Sequence, residues 1–132
     1  MPGADIQPEA LQGRRVLIVE DELLVAMELE NLLQQSGCTV LGPANSVARA
    51  MALLERERPD VVLLDLNLNG EAANPVAATL SRQGLPFVVV SGYSPAQSNA
   101  PELAGAPRVG KPGDRHRLLH ALSLVVRPSR GN

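Results

Sequence analysis

Cysteine is nearly missing from this chain. Cys38 stands alone among 132 residues, which excludes a disulfide framework and leaves a buried thiol in a reducing compartment as its expected state. Charge of one sign is lacking too. Twelve Lys and Arg against 14 Asp and Glu give a net charge of −2, so there is no electrostatic footprint for nucleic acid and no basic run for a membrane surface. No apolar run approaches the length of a membrane span, and no basic segment followed by an apolar core opens the chain. Neither an anchor nor a secretory leader is expected, and the expected location is cytoplasmic. Lysine is the scarcest base, because eleven of the twelve are Arg and only Lys111 is Lys.

What is present fits one domain. Hydrophobic content of 45% and charged content of 20% are globular values, and a chain of this length buries roughly two thirds of its unfolded surface. Residues 1–13 hold two Pro and two Gly without periodicity and are expected as a flexible lead-in. The domain is expected over 14–127, with 128–132 as a tail. A DNA-binding appendage is not expected.

Three stretches carry apolar residues without polar alternation, the mark of strands buried on both faces of a parallel sheet. Val16 to Val19 ends at Glu20 and Asp21; Val61 to Leu64 ends at Asp65; and Phe87 to Val90 ends at Ser91. Ala106 to Gly110 predicts a short last strand, ending at Lys111-Pro112. Cys38 to Leu41 predicts a further short strand closed by Gly42-Pro43. Between them lie helical spacings: Val25, Leu29, Leu32 and Leu33; Val47, Ala50, Met51 and Leu54; Leu118, Leu119, Leu122 and Val126. Asn45 or Ser46 can cap the second helix, and Asn74-Pro75 predicts a cap followed by Pro at the first helical position. Residues 66–73 read as a polar, glycine-containing loop. Pro95 and Pro101 leave at most a turn or two of helix where the alternation calls for a full one. The predicted fold is α/β, a doubly wound five-stranded parallel sheet of flavodoxin-like order 2-1-3-4-5 with a shortened or irregular fourth helix.

That order brings the strand ends together. Glu20 and Asp21 then neighbour Asp65, and three converging carboxylates repel one another. A hard divalent cation relieves the repulsion, and Mg²⁺ suits one or two carboxylates, several waters and phosphate oxygens. A main-chain carbonyl past Asp65, that of Asn67, can complete the protein's share. The Lys111 ammonium and the Ser91 hydroxyl suit the remaining oxygens of a phosphoryl group, with Asp65 as its acceptor. A compact ammonium on a long stem fits that role better than a planar guanidinium.

Val-Leu-Ile-Val-Glu20-Asp21-Glu, Asp-Val-Val-Leu-Leu-Asp65, Val-Val-Ser91 and Lys111-Pro112 resemble, in order, the motifs of the receiver domain of two-component response regulators. The resemblance spans Arg15 to Val126. It implies that Asp65 is a phosphoacceptor, that Glu20, Asp21, Asp65 and Asn67 bind Mg²⁺, and that Ser91 and Lys111 form the switch. It also implies a sensor histidine kinase, a phosphotransfer protein or another response regulator as partner, and a monomer or weak dimer. Chemistry is confined to Mg²⁺-dependent phosphorylation and dephosphorylation of the chain itself, so no enzyme is expected.

The departures have their own pattern. Arg108 stands where receivers usually carry an aromatic switch residue, and Gly113 where an aromatic follows Lys-Pro. Ser91-Gly92-Tyr93, Asn67-Leu-Asn-Gly-Glu71 and Val40-Leu-Gly-Pro43 resemble a single-domain subgroup with the signature Phe-Ala-Thr-Gly-x-Tyr, which makes Tyr93 the expected reporter beside Ser91. Two other readings stay open: a pseudo-receiver that binds partners without phosphorylation, and a Mg²⁺ phosphohydrolase using Asp65. The second wants an acid two residues after its nucleophile, where this chain has Asn67. His116 and His120, four apart without an evident third ligand, are expected as exposed helix residues.

Overall fold

Apolar runs without alternation become the interior of the sheet. The computed structural model describes residues 8–91, 101–103, 105–110 and 115–126, with Pro8, Glu9 and Ser91 described by backbone alone. In chain order the elements are α1 (Pro8–Leu11), β1 (Arg15–Val19), α2 (Leu23–Gln35), β2 (Thr39–Ala44), α3 (Val47–Arg56) and β3 (Val61–Asp65). There follow β4 (Asn67–Leu68), β5 (Glu71–Ala72), α4 (Asn74–Gln83), β6 (Phe87–Ser91), a 3-10 turn (Pro101–Leu103), β7 (Arg108–Gly110) and α5 (Arg115–Val125). The main sheet is parallel in the order β2-β1-β3-β6-β7. Strand for strand this is the predicted doubly wound order.

Burial follows the pleat. Val16, Ile18, Val61, Leu63, Val88 and Val90 face Leu29 and Leu33 of α2 and Leu118 and Leu122 of α5. Their sequence neighbours Leu17, Val19, Val62, Leu64, Phe87 and Val89 face Leu54 of α3, Val76 and Leu80 of α4, and Leu103. Every residue of β3 is buried, which is why its sequence shows no polar alternation. Each such Val or Leu contributes about 1.5–3 kcal/mol of transfer free energy. Arg15 and Asp60 exchange hydrogen bonds, the Arg15 amide donating to Asp60 Oδ2 at 2.8 Å and the Asp60 amide to the Arg15 carbonyl at 2.7 Å. That pair, with the Arg15–Glu57 ion pair, pins the register in which Val16 lies beside Val61.

Four expectations need correction. The stretch expected as a lead-in carries α1, and Leu11 is fully buried. The Leu11 carbonyl accepts from the Arg14 amide and from Cys38 Sγ, so the fold takes up the chain from Pro8. Burial pushes the Cys38 thiol pKa up. Strand β2 does not close at Gly42-Pro43 but continues through that cis peptide to Ala44. Leu17 and Val19 pair with Leu41 and Ala44, so β2 holds one residue more than β1 over this span. Such a bulge is tolerated on an edge strand, where Pro needs no ladder partner.

The loop 66–73 contains the two-stranded ribbon β4–β5. At α4 the N-cap position belongs to Ala73, with no side-chain cap, because the Asn74 side chain turns to Glu102 instead. Ser46, by contrast, caps α3 as expected, its Oγ accepting from the Arg49 amide at 3.1 Å. Among the described residues of 92–107, helix is confined to the 3-10 turn.

Candidate acidic site at the sheet rim

Three backbone features carry acids to one place. Strand β1 runs out at Val19, and the Glu20 amide donates to the Ala44 carbonyl at 2.9 Å, one step past the bulge in β2. Glu20 is thereby held as a further rung of the sheet and is 2% exposed. Its Oε2 accepts from the Glu22 amide at 3.0 Å. Asp21 opens the turn into α2 and is half-buried. Asp65 closes β3, beside Val90 of β6, and is 5% exposed.

The side chains meet. One carboxylate oxygen from each of Glu20, Asp21 and Asp65 lies within 4.8 Å of the other two. Like charges about 4–5 Å apart repel by on the order of 3–4 kcal/mol at an effective dielectric of about 20. The donor set, three hard oxygens with two nearly excluded from water, suits a hard divalent cation and offers no nitrogen or sulfur to a softer one. Glu20, Asp21 and Asp65 therefore fit the ion expected from the sequence.

The ribbon after Asp65 is the part that sequence reasoning missed. The Asn67 amide donates to Asp65 Oδ1 at 3.2 Å, and Asn67 Oδ1 accepts from the Gly70 amide at 2.7 Å. The Asn69 amide donates to Asp21 Oδ2 at 3.0 Å. Asn69 and Gly70 both have positive φ, 56° and 86°, which defines a two-residue hairpin turn of the I′ type. The Asn-Gly dipeptide is the strongest local signal for that turn, and it was legible in the sequence.

Other expected residues are placed less completely. Ser91 ends β6, its backbone paired with Gly110 of β7, so both chain segments reach the rim that Asp65 occupies. The Ser91 side chain, Tyr93 and Lys111 lie outside the described residues. Arg108 is exposed on β7, and His116 and His120 are exposed on α5. Among the described residues no helix is long and apolar enough to cross a membrane.

An open α/β sheet with carboxylates converging beyond the carboxyl ends of adjacent strands defines a class of protein whose ligands bind at that rim. The chain belongs to the response regulator receiver domain family, whose model matches residues 16–123. It is 29% identical over 129 residues to PdtaR, a transcriptional regulatory protein of Mycobacterium tuberculosis, covering 96% of this chain and 63% of PdtaR. Among solved structures it resembles the response regulator PhyR of Brucella abortus (27% identity, TM-score 0.75, 89% of this chain and 50% of that one). It also resembles the PhyR receiver domain of Erythrobacter litoralis (26% identity, TM-score 0.75, 91% and 98%). The chain thus spans less than two thirds of PdtaR and half of the Brucella protein. Receiver domains are regulatory domains of two-component systems and generally bind Mg²⁺.

Proposed function

We propose that this chain is a receiver that accepts a phosphoryl group on Asp65 from the phosphohistidine of a sensor histidine kinase or phosphotransfer protein. The convergence of Glu20, Asp21 and Asp65 carries this reading, since an acid left nearly dry beside two others is poised for a positively charged group and an electrophile. An Asp65 oxygen attacks phosphorus, and the phosphorus–nitrogen bond of the donor breaks with its electron pair going to nitrogen. Asp65 becomes an acyl phosphate, and the released imidazole regains its neutral form by taking a proton.

Glu20, Asp21, Asp65 and the main-chain carbonyl of Asn67 would hold Mg²⁺, which when bound supplies positive charge opposite the phosphoryl oxygens. The Asn67 side chain is committed to the Gly70 amide, which favours its carbonyl as the ligand. The Asn67 amide steadies Asp65 Oδ1, keeping the carboxylate plane oriented for attack. Lys111 and Ser91 bind the phosphoryl oxygens, and Ser91 with Tyr93 forms the switch. Attack by water on phosphorus breaks the bond to the Asp65 oxygen, releases inorganic phosphate and the water's proton, and returns Asp65 to its starting carboxylate. The signal leaves by protein contact in the cytoplasm, with another response regulator or by competition for the kinase's phosphate.

Intact-mass measurement after incubation with a small acyl phosphate tests this. One phosphoryl-sized increment is expected with Mg²⁺, and none with chelator or in Asp65→Asn. An increment that survives Asp65→Asn contradicts the assignment.

A further inference from the structure

The ribbon β4–β5 touches both halves of the acid cluster, although Asp21 lies in the turn after β1 and Asp65 closes β3. Three hydrogen bonds run through four consecutive residues. Asn67 reaches Asp65 from its amide, Gly70 reaches back to the Asn67 carboxamide, and Asn69 reaches across to Asp21. The ribbon is also fastened to the interior: Leu68 is 1% exposed, and the Ala73 amide donates to the Leu66 carbonyl at 2.9 Å. The base of the ribbon is therefore fastened to the fold, with Asn69 and Gly70 exposed at its tip.

We propose that Asn69 is a positioning residue for the acid cluster: its main-chain amide, aimed by the left-handed turn, orients the Asp21 carboxylate toward Asp65. The inference rests on the reading of the cluster as a Mg²⁺ and phosphoacceptor site. Asp21 is half-exposed and sits at the start of a helix, where repulsion from Glu20 and Asp65 would swing it toward solvent. An amide donor on Oδ2 opposes that swing and leaves the carboxylate arranged before any cation arrives. Handedness is what aims the donor. With both central residues at positive φ the ribbon twists as its strands do, and a turn of the opposite hand points the Asn69 amide away from Asp21. Asn tolerates this backbone and Gly adopts it freely, whereas a β-branched residue resists it. Groups that orient metal ligands in this way typically account for about 10–100-fold in affinity.

The test uses the full chain and separates Mg²⁺ affinity from folding. Calorimetric Mg²⁺ titration is run on the native protein, Asn69→Gly and Asn69→Val, beside thermal unfolding in chelator. Asn69→Gly, which keeps both amide and turn, is expected to bind within about threefold of native, and Asn69→Val about tenfold or more weaker, with the titrations run well below the metal-free melting temperature of each variant because the strained turn lowers that of Asn69→Val. Equal affinity of Asn69→Val and native overturns the proposal, as does an equal loss in Asn69→Gly and Asn69→Val, which would assign the effect to the side chain. Hydrogen exchange gives a readout without the ion. The Asn69 amide is expected to be protected in metal-free native protein and to lose protection in Asp21→Ala. Unchanged exchange in Asp21→Ala overturns the proposal. Failure of the native chain to take up Mg²⁺ overturns the reading of the cluster instead, and the exchange result still decides the contact.

Discussion

Glu102 and Gly42 constrain the fold through different physics. The Asn74 side-chain amide donates to Glu102 Oε2 at 2.8 Å, and this bond, with a backbone hydrogen bond, holds the carboxyl below its ordinary value. A carboxyl whose pKa is lower folded than unfolded adds stability above the unfolded value, and that stability is lost as pH falls through the folded one. Urea midpoints followed from neutrality down through the carboxylate range are therefore expected to fall less steeply in Glu102→Gln than in the native chain. Parallel curves would contradict the coupling. At Gly42 the constraint is steric: φ is +85°, and an added Cβ would lie 2.8 Å from the Ala44 nitrogen and 3.0 Å from the Ile18 carbonyl oxygen. Gly42→Ala is expected to cost about 3 kcal/mol, read by chemical denaturation.

Among single residues, those acting through side-chain charge were legible and those acting through backbone were not. Glu20, Asp21 and Asp65 could be chosen because acids closing apolar strands are conspicuous. Ala44, whose carbonyl carries the Glu20 amide, and Asn69, whose amide reaches Asp21, contribute groups that every residue possesses. Asn74 shows the same limit from the other side. Its type suits a helix cap, but a competing partner some 28 positions away claims its side chain.

At the scale of elements, the interior strands were readable because burial on both faces removes polar alternation, and the helices because their apolar spacing persists over several turns. Helix α1 has four residues, too few to display a period. Its weight in the fold is nonetheless testable: Leu11 is fully buried with Leu33, Cys38 and Leu122 in the same cluster. Leu11→Ala is expected to cost about 3 kcal/mol in urea unfolding, and a cost near zero would return this stretch to the status of a lead-in. Strand β2 was read short because Gly-Pro is a turn signal, yet pairing with β1 carries the edge strand through it. Local chemistry named a turn there, and tertiary pairing overruled it. At β4–β5 the error ran the other way, since the Asn-Gly signal was present and the surrounding polar residues hid it.

Across the whole molecule, the acid cluster exists only because sheet order sets β1 beside β3. Neither Glu20–Asp21 nor Asp65 forms a site within its own segment. Folding thus concentrates negative charge at the rim, and a cation that binds there stabilises the entire fold by mass action. At a hundred times its dissociation constant that gain is about 2.7 kcal/mol, several degrees in melting temperature for a domain of this size. A Mg²⁺-dependent rise is expected in the native chain and a much smaller one in Asp21→Asn. Equal rises in both would remove Asp21 from the ligand set.

The most direct measurement is the location of the phosphoryl group itself. After reaction with a small acyl phosphate, hydride reduction of the acyl phosphate and peptide mass mapping mark the residue that carried it. A mark confined to Asp65, formed with Mg²⁺ and suppressed by chelator, is the expected result. A mark on another acid, or one of equal yield without the cation, would contradict the account.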